Sequence, residues 1–134
     1  MKQESSQIVV CTVTNDGAGK SCFSERAVTL NGDKQRQLSN QIDAVNFRLR
    51  TSGAEYASGW PVAGDPTLLI MLSGTIEIEL RNGQKKQFST GDMFIAEDFL
   101  QKGTEFDESQ HGHRARVVNN ESIRVLHLKL NKRS

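Results

Sequence analysis

The sequence predicts an all-β protein that folds as a sandwich or a barrel. Its 134 residues contain about nine short apolar or alternating stretches, which glycine, asparagine and aspartate separate at regular intervals. No segment repeats apolar residues at helical spacing. Because a lone hairpin cannot bury one of its faces, strands in this number are expected to close around a core in a single domain spanning residues 1–134.

The charge composition of the chain limits the kinds of molecule that it is expected to bind. Seventeen Lys and Arg residues stand against sixteen Asp and Glu residues, giving a formal net charge of +1. Such a balance provides no large field to attract nucleic acid or an anionic membrane. The polar first residues lead into only a short apolar stretch, which fits neither a signal peptide nor a transmembrane span. We therefore expect a cytoplasmic protein whose partner is a small molecule.

The first half of the chain contains three predicted strands and two loops. The strands cover residues 7–14, 25–30 and 44–50. In the third strand Val45, Phe47 and Leu49 alternate with polar residues, which predicts that one face is buried. Residues 31–40 are polar without periodicity, and residues 51–66 are rich in glycine and hold both prolines. Both segments are therefore expected to be loops, the second of them suited to pass close to a ligand.

The second half contains the remaining strands. Residues 67–72 form an apolar run that is too short for a typical helix and fits a strand buried on both faces. Residues 75–81 alternate strictly, so Glu77 and Glu79 are expected on a solvated face, and Asn82-Gly83 is a strong hairpin signal. The other predicted strands cover residues 84–89, 93–96, 113–118 and 123–130.

The segment His111-Gly112-His113-Arg114 brings potential metal-binding and acid/base side chains closer together than any other part of the sequence. Imidazoles two residues apart on a strand share a face. His111 and His113 are therefore candidate metal ligands, and Asp98 or Glu97 would complete the set that suits non-haem iron or manganese. The alternative is that His113 is a core or pocket histidine, able to act as a general acid or base, while His111 is a solvated loop residue.

Further candidates for ligand contact lie elsewhere in the sequence. Tyr56 and Trp60 belong to the glycine-rich loop and could wall a pocket, although Trp60 could equally plug the barrel or pack on another subunit. Arg114 could clamp a carboxylate if its strand turns that way, but a solvated outer face is the simpler expectation. His127 is a weaker third histidine candidate. The two cysteines, Cys11 and Cys22, are expected to be reduced thiols rather than a disulfide.

Several motifs in this order resemble the small single-domain cupins. The motifs are residues 72–75, Asn82-Gly83, Gly91-Asp92 and Gly112-His113, together with the early stretch 16–23 and the loop 60–66. The resemblance implies a jelly-roll barrel with a pocket at one end, which in cupins often holds a divalent metal on three histidines and one glutamate.

This chain departs from the cupin pattern at the metal ligands. No histidine precedes Gly74, Pro61 follows Trp60 where related cupins have a histidine, and the position near Thr67 where cupins have the glutamate ligand is not acidic. Three of the four usual ligands are therefore absent, and the resemblance carries over only to His113. Residues 99–110 look like an insertion, which would be either a lid over the pocket or a tolerated surface loop.

Two functions follow as hypotheses. The first is a small cupin enzyme that acts on a small organic metabolite, either with one divalent metal (iron, manganese, nickel or zinc) or with His113 as acid or base. The second is a metal-free cupin that binds or senses a small ligand without catalysis. The resemblance and the apolar strands near the N-terminus also predict a homodimer.

Overall fold

The computed structural model of the protein describes residues 4–131, and this part of the chain contains strands and loops but no helix. Accordingly, no described segment is a helix that could span a membrane. The strands are β1 (Glu4–Asn15), β2 (Ser21–Gly32), β3 (Gln37–Leu38), β4 (Ala44–Ser52), β5 (Thr67–Ser73), β6 (Thr75–Glu79), β7 (Lys85–Phe88), β8 (Met93–Ala96), β9 (Arg114–Val118) and β10 (Ile123–Leu130). The predicted all-β class is confirmed.

The strands form two sheets that enclose the core. The larger sheet has the order β3-β2-β1-β8-β5-β10-β4, and the smaller one has the order β7-β6-β9. Alternate residues of each sheet point inward, as the two-residue period of a strand requires. Phe94 from the large sheet stacks on Phe88 from the small sheet at 4.2 Å between ring centroids. The other buried core residues include Val13, Leu69, Met71, Ile76, Ile78, Val117 and Val125.

Two strands are longer than their hydrophobic pattern indicates. β1 and β2 pair in continuous antiparallel register from Glu4 opposite Gly32 to Asn15 opposite Ser21. Backbone pairing extends each strand beyond its apolar residues, because ladder hydrogen bonds do not depend on side-chain polarity. The same pairing corrects the predicted loop 31–40, in which Gln37 and Leu38 form the short edge strand β3 against the end of β2.

The predicted burial of one face of β4 is wrong. Val45, Phe47 and Leu49 are 52%, 62% and 70% exposed. β4 is an edge strand whose register with β10 places Phe47 opposite Leu128 and Leu49 opposite Leu126, on the side of the sheet away from the core. The prediction for β5 is also only half right, because Leu69 and Met71 are buried whereas Leu72 is 48% exposed.

The predicted exposure of Glu77 is also wrong. It was expected on a solvated face, but it is buried beneath two polar partners on the outer side of the small sheet. Arg116 Nε donates a hydrogen bond to its carboxylate at 2.8 Å and Gln87 Nε2 donates another at 3.1 Å. These hydrogen bonds hold the pKa of Glu77 below its ordinary value, and they outweigh the opposing effect of burial.

The expectation of two free thiols is confirmed. The register of the first hairpin places Cys11 opposite Glu25 and Cys22 opposite Thr14, so the two cysteines do not face each other. Burial raises the pKa of both thiols, and at Cys11 the neighbouring Lys86 offsets part of that effect. Neither thiol has the lowered pKa of a cysteine nucleophile.

Candidate functional site

A cavity of about 220 Å³ lies between the two sheets. Its apolar walls are formed by Leu69, Ile76, Ile78, Phe94, Ala96 and Ala115, with Pro61, Val62 and Ala63 at one end. Its polar groups come from Arg50, Tyr56, Ser58, Thr67, His113 and His127. No aspartate or glutamate is among these lining residues. An apolar cavity with a few converging polar groups is the usual form of a small-molecule site.

The glycine-rich loop of residues 53–66 closes one side of the cavity by adding its backbone to the small sheet. Ser58 N donates to Ala115 O at 2.8 Å, and Ala115 N donates to Ser58 Oγ at 2.9 Å. Val117 N donates to Tyr56 O in the same way. The loop is thus fixed along β9, and it carries Tyr56 and Ser58 into the cavity wall.

His113 is held in the cavity wall by a fully buried carboxylate. Asp98 is 0% exposed and lies 2.8 Å from His113 Nδ1. Its carboxylate also accepts hydrogen bonds from Ser21 Oγ at 2.6 Å and from Ala63 N at 3.0 Å. Because a carboxylate can only accept, Nδ1 of the neutral imidazole carries the proton and Nε2 is left as an acceptor. The site thus contains an oriented imidazole on its wall.

The expectation that His111 and His113 share the face of a strand is wrong. β9 begins only at Arg114, and Gly112 turns the chain with a φ of +83°. His113 N donates to Pro61 O at 3.0 Å, whereas His111 Nδ1 accepts from Asp107 N at 2.8 Å within the neighbouring loop. Since side chains alternate regularly only in extended backbone, the spacing rule does not apply across this turn.

The donor set does not fit a resident iron, manganese, nickel or zinc ion. Within residues 4–131 no group of three or more His, Cys, Asp or Glu side chains lies close enough to hold a metal. Asp98 joins His113 as a hydrogen-bond partner, and the predicted third donor His111 lies in the loop. A transition-metal site of this class needs at least three protein ligands.

The other residues that were predicted to contact a ligand differ in whether they line the cavity. Tyr56 lines the cavity, with the Arg50 guanidinium carbon 4.6 Å from its ring centroid. Trp60 does not line it, because the Arg81 guanidinium stacks over the indole at 4.0 Å. Arg114 alternates with the cavity residue Ala115 and lies opposite Glu79, so it belongs to the other face of β9.

The inserted residues 99–110 do not reach the cavity. Asn15 exchanges two hydrogen bonds with the backbone of Phe99, at 2.7 and 2.9 Å. At the other end Arg81 donates to the carbonyl oxygens of Glu108 and His111. The segment is therefore tied to the body of the protein at both ends and packs beside the Trp60 loop.

Two polar residues of the site, Arg50 and His127, were not predicted from the sequence to line the cavity. Arg50 lies on the face of β4 opposite its apolar residues, and His127 of β10 lies beside Arg48 in register. Burial and the nearby charges of Arg50 and Arg48 lower the pKa of His127. The alternation of apolar and polar residues over 44–50 does place Arg48 and Arg50 on one face of the strand. That face was expected to be the solvated one, whereas in the structure Arg50 lines the cavity.

A polar groove of about 160 Å³ continues the cavity at this end. It is lined by Asn46, Arg48, Thr67, His127 and Lys129. Thr67 and His127 belong to both the groove and the cavity. Arg48, Arg50, His127 and Lys129 thus form one basic cluster, which lies where the apolar cavity opens.

Comparisons with known proteins give structural likeness alone. No family model matches the chain, and no curated protein matches it significantly. The conserved protein SPY1581 of unknown function from Streptococcus pyogenes has a TM-score of 0.50 at 12% identity, over 76% of this chain and 80% of that one. Likeness at this identity concerns the fold and says nothing about function.

Two further matched structures are described as cupins. A cupin-2 domain containing protein from Shewanella frigidimarina has a TM-score of 0.44 at 16% identity, over 63% of this chain and 69% of that one. The cupin domain of Cnp3 from Schizosaccharomyces pombe has a TM-score of 0.44 at 14% identity, over 92% and 87% of the two chains. The two facing β-sheets of this chain agree with the jelly-roll fold that its motifs predict.

Proposed function

We propose that the protein binds a small organic ligand in the cavity between its sheets and that His113 is a polar contact for that ligand. The oriented imidazole carries this proposal. A buried carboxylate fixes the ring of His113 at the wall of an otherwise largely apolar cavity. Fixing a side chain in advance lowers the entropy lost on binding, which is how ligand sites gain affinity from few contacts. A volume near 220 Å³ suits a small metabolite.

A fragment screen followed by nuclear magnetic resonance tests this proposal. Small acids, amides and alcohols would be added to the isotope-labelled protein while the backbone amides of Ile78 and Ala115, which line the cavity, are followed. We expect saturable shifts at these amides that weaken in His113→Gln and persist in His111→Gln, since His111 lies outside the cavity. Shifts that are absent, or that are equal in the two variants, would contradict the proposal.

Acid or base catalysis by His113 is the second candidate. The observation that favours it is the chain of Ser21, Asp98 and His113, in which the carboxylate holds the tautomer that leaves Nε2 free to accept a proton. The reaction class would be proton transfer at an activated carbon of the bound metabolite. Without such a step the same residues make a binding or sensing module.

Deuterium incorporation distinguishes catalysis from binding. Short α-keto acids have an enolisable carbon next to the keto group, so an oriented base exchanges the protons on that carbon for deuterium in deuterium oxide. We expect faster exchange with the wild-type protein than with His113→Gln. A fragment that binds in the cavity without exchange above the buffer rate would leave the binding function and contradict catalysis on these compounds.

The cellular location remains an expectation. We propose a cytoplasmic protein, and its two unpaired cysteines agree with a reducing compartment. Measuring the distribution of the tagged protein between cell fractions tests this proposal, and recovery outside the cytoplasm would contradict it.

A further inference from the structure

Within residues 4–131 the basic cluster at the mouth of the cavity has no acidic partner. In this part of the chain the basic and acidic side chains in contact are Arg26 with Glu97, Arg116 with Glu77, and His113 with Asp98 through the hydrogen bond described above. None of these pairs includes Arg48, Arg50 or Lys129. The pairing of β4 with β10 places Arg48 beside His127, and Arg48 and Arg50 lie on the same face of β4. The cluster therefore concentrates positive charge without internal compensation.

Individual polar atoms of the cluster also lack partners. Nε2 of His127 is buried and has no hydrogen-bond partner within the described residues. Arg50 donates one side-chain hydrogen bond, from Nε to Ser52 Oγ at 3.0 Å. Its terminal nitrogens form none with residues 4–131, while its guanidinium lies against the ring of Tyr56. Unsatisfied buried polar atoms are rare, and at a cavity wall they mark where a ligand atom is expected.

We infer that the ligand of the cavity is a small organic anion. This inference rests on the proposed binding function and specifies the class of compound. The apolar body of the ligand packs against Leu69, Ile78 and Phe94, and its carboxylate or phosphate group is bound by Arg50 and His127. Charge-assisted hydrogen bonds from a guanidinium are among the strongest polar contacts, and Arg48 and Lys129 add to the field that attracts an anion.

Pairs of compounds that differ only in charge test the inference. The probes are benzoate with benzamide and hexanoate with hexanamide, and phenyl phosphate separates a phosphate-selective site from a carboxylate-selective one. We expect an anion of the panel to bind roughly tenfold to a hundredfold more tightly than its neutral counterpart. That preference should largely disappear in Arg50→Met. It should persist in Arg36→Met, which removes the same charge near β3 at the opposite edge of the large sheet.

The outcomes separate this inference from the proposed function. If amides shift the cavity resonances as strongly as acids do, the cavity binds ligands but the inferred charge is wrong. The same holds if anions are preferred equally by the wild-type and Arg50→Met proteins. If no probe of either charge shifts those resonances while the broader fragment screen does, the anionic class is wrong. If that screen also fails, the binding function fails with it.

A second inference concerns the outer face of the large sheet, which is apolar across most of its strands. Register places Phe47, Leu49, Leu126, Ile70, Leu128, Leu68, Met93, Ile95, Val10 and Val28 on the side opposite the core. Residues 39–43 cover part of this face, where Ser39 and Ile42 line an apolar groove of about 280 Å³. The end formed by β4, β10 and β5 is left open, with Phe47, Leu49 and Leu72 exposed.

We infer that this outer face packs against the same face of a second copy. The open end of the face consists of three strands spaced about 4.8 Å apart, with roughly six residues each, which gives a flat apolar area on the order of 300 Å². An exposed apolar area of this size marks an interaction surface. The net charge of +1 sets no strong repulsion between copies.

The distribution of charge favours a two-fold dimer that packs face to face over a dimer that extends the sheet edge to edge. Asp43 precedes β4 at one end of its ladder with β10, and Arg124 lies at the other end. A two-fold axis perpendicular to the strands places Asp43 of one copy near Arg124 of the other copy, so the opposite charges attract. Edge-to-edge pairing through β4 is disfavoured, because Arg48 and Arg50 point inward and such charges oppose the addition of a further strand.

Sedimentation velocity at micromolar concentration tests the dimer. We expect the wild-type protein to sediment as a dimer and Phe47→Glu to sediment as a monomer with an unchanged far-ultraviolet circular dichroism spectrum, since Phe47 is exposed in the single chain. Phe106→Glu is the matched control, because Phe106 is also exposed but lies in the inserted loop. A monomeric wild-type protein would assign the face to a different occupant and overturn the inference. A dimer that persists in Phe47→Glu would also overturn it.

Discussion

Asp98 is the residue on which the geometry of the candidate site depends. It accepts hydrogen bonds from the loop before β5, from β2 and from His113, so one carboxylate joins three separate parts of the chain. Its complete burial makes those hydrogen bonds necessary, because a buried carboxylate without donors is strongly unfavourable. The residue therefore links folding stability to the orientation of the imidazole.

Replacing Asp98 should destabilise the protein and release His113. We expect Asp98→Ala to lower the free energy of unfolding by about 3 kcal/mol, because it leaves Ala63 N, Ser21 Oγ and the imidazole without their acceptor. Ser21→Ala removes one hydrogen bond and should cost about 1 kcal/mol. Urea denaturation measures both values. Imidazole nitrogen shifts should show the Nδ1-protonated form of His113 in the wild type, and equal stability losses in the two variants would contradict this account.

His127 should make stability depend on pH. Burial and the charges of Arg50 and Arg48 lower its pKa in the folded protein, so on acidification the unfolded chain takes up the proton first. The free energy of unfolding should therefore fall as the pH drops from the ordinary histidine value of 6.5 through the lowered folded value.

The measurement compares wild-type and His127→Gln proteins by urea denaturation between about pH 7.5 and pH 5, near and below the ordinary histidine value. We expect a smaller loss of stability in the variant, with other titrating groups contributing equally to both proteins. If both proteins lose stability in parallel, His127 does not have the assigned role.

At the scale of structural elements, the turns rather than the strands decide which reactive side chains reach the cavity. Gly112 lets the chain leave the inserted loop and enter β9, with its α-carbon against the backbone of Trp60. A Cβ at this position would lie 2.0 Å from the Trp60 carbonyl oxygen. The turn thus packs two loops together, brings His113 to the cavity and leaves His111 outside it.

Two alanine substitutions separate backbone strain from this close approach. Gly112 and Gly83 both have positive φ, but a Cβ at Gly83 would meet no atom within 4 Å. We expect Gly83→Ala to cost about 1 kcal/mol from strain alone, and Gly112→Ala to cost about 2–4 kcal/mol because the Trp60 backbone must also move. Denaturation midpoints check both values, and equal costs would show that the contact with Trp60 is unimportant.

At the scale of the whole molecule, the large sheet has one apolar face turned to the small sheet and a second apolar face that residues 39–43 cover only in part. A single copy satisfies the first face through the packing of Phe94 on Phe88 and the residues around them. The exposed edge of the second face, at Phe47 and Leu49, explains why alternation in β4 did not lead to burial within the chain. Association would remove this apolar area from water.

Association should make thermal stability depend on protein concentration. When only the folded chain forms a dimer, mass action favours the folded state as concentration rises. For a protein of this size the unfolding midpoint should rise by about 2 °C for each tenfold increase in concentration. Differential scanning calorimetry over a hundredfold range checks this. The midpoint of Phe47→Glu should stay constant, and a constant wild-type midpoint would contradict association.

The fold and part of the site followed from local patterns. Alternation and the glycine and asparagine turns predicted the strands and the all-β class, because a two-residue period and positive φ angles are local properties of the backbone. Tyr56 and His113 were predicted as site residues, and both line the cavity. Arg50 was not singled out and His127 was only a weaker third histidine candidate, since a polar residue on an alternating strand is equally suited to water and to a cavity.

The sequence by itself determined the all-β class and the turn positions, since these depend on neighbours along the chain. Only the tertiary structure decided that the apolar face of β4 points away from the core, that His111 and His113 separate, and that Asp98 meets His113 across fifteen positions of sequence. The reason is that sheet order and strand register join residues remote in the sequence. No pattern along the chain specifies which strand lies at an edge or which face a second layer covers.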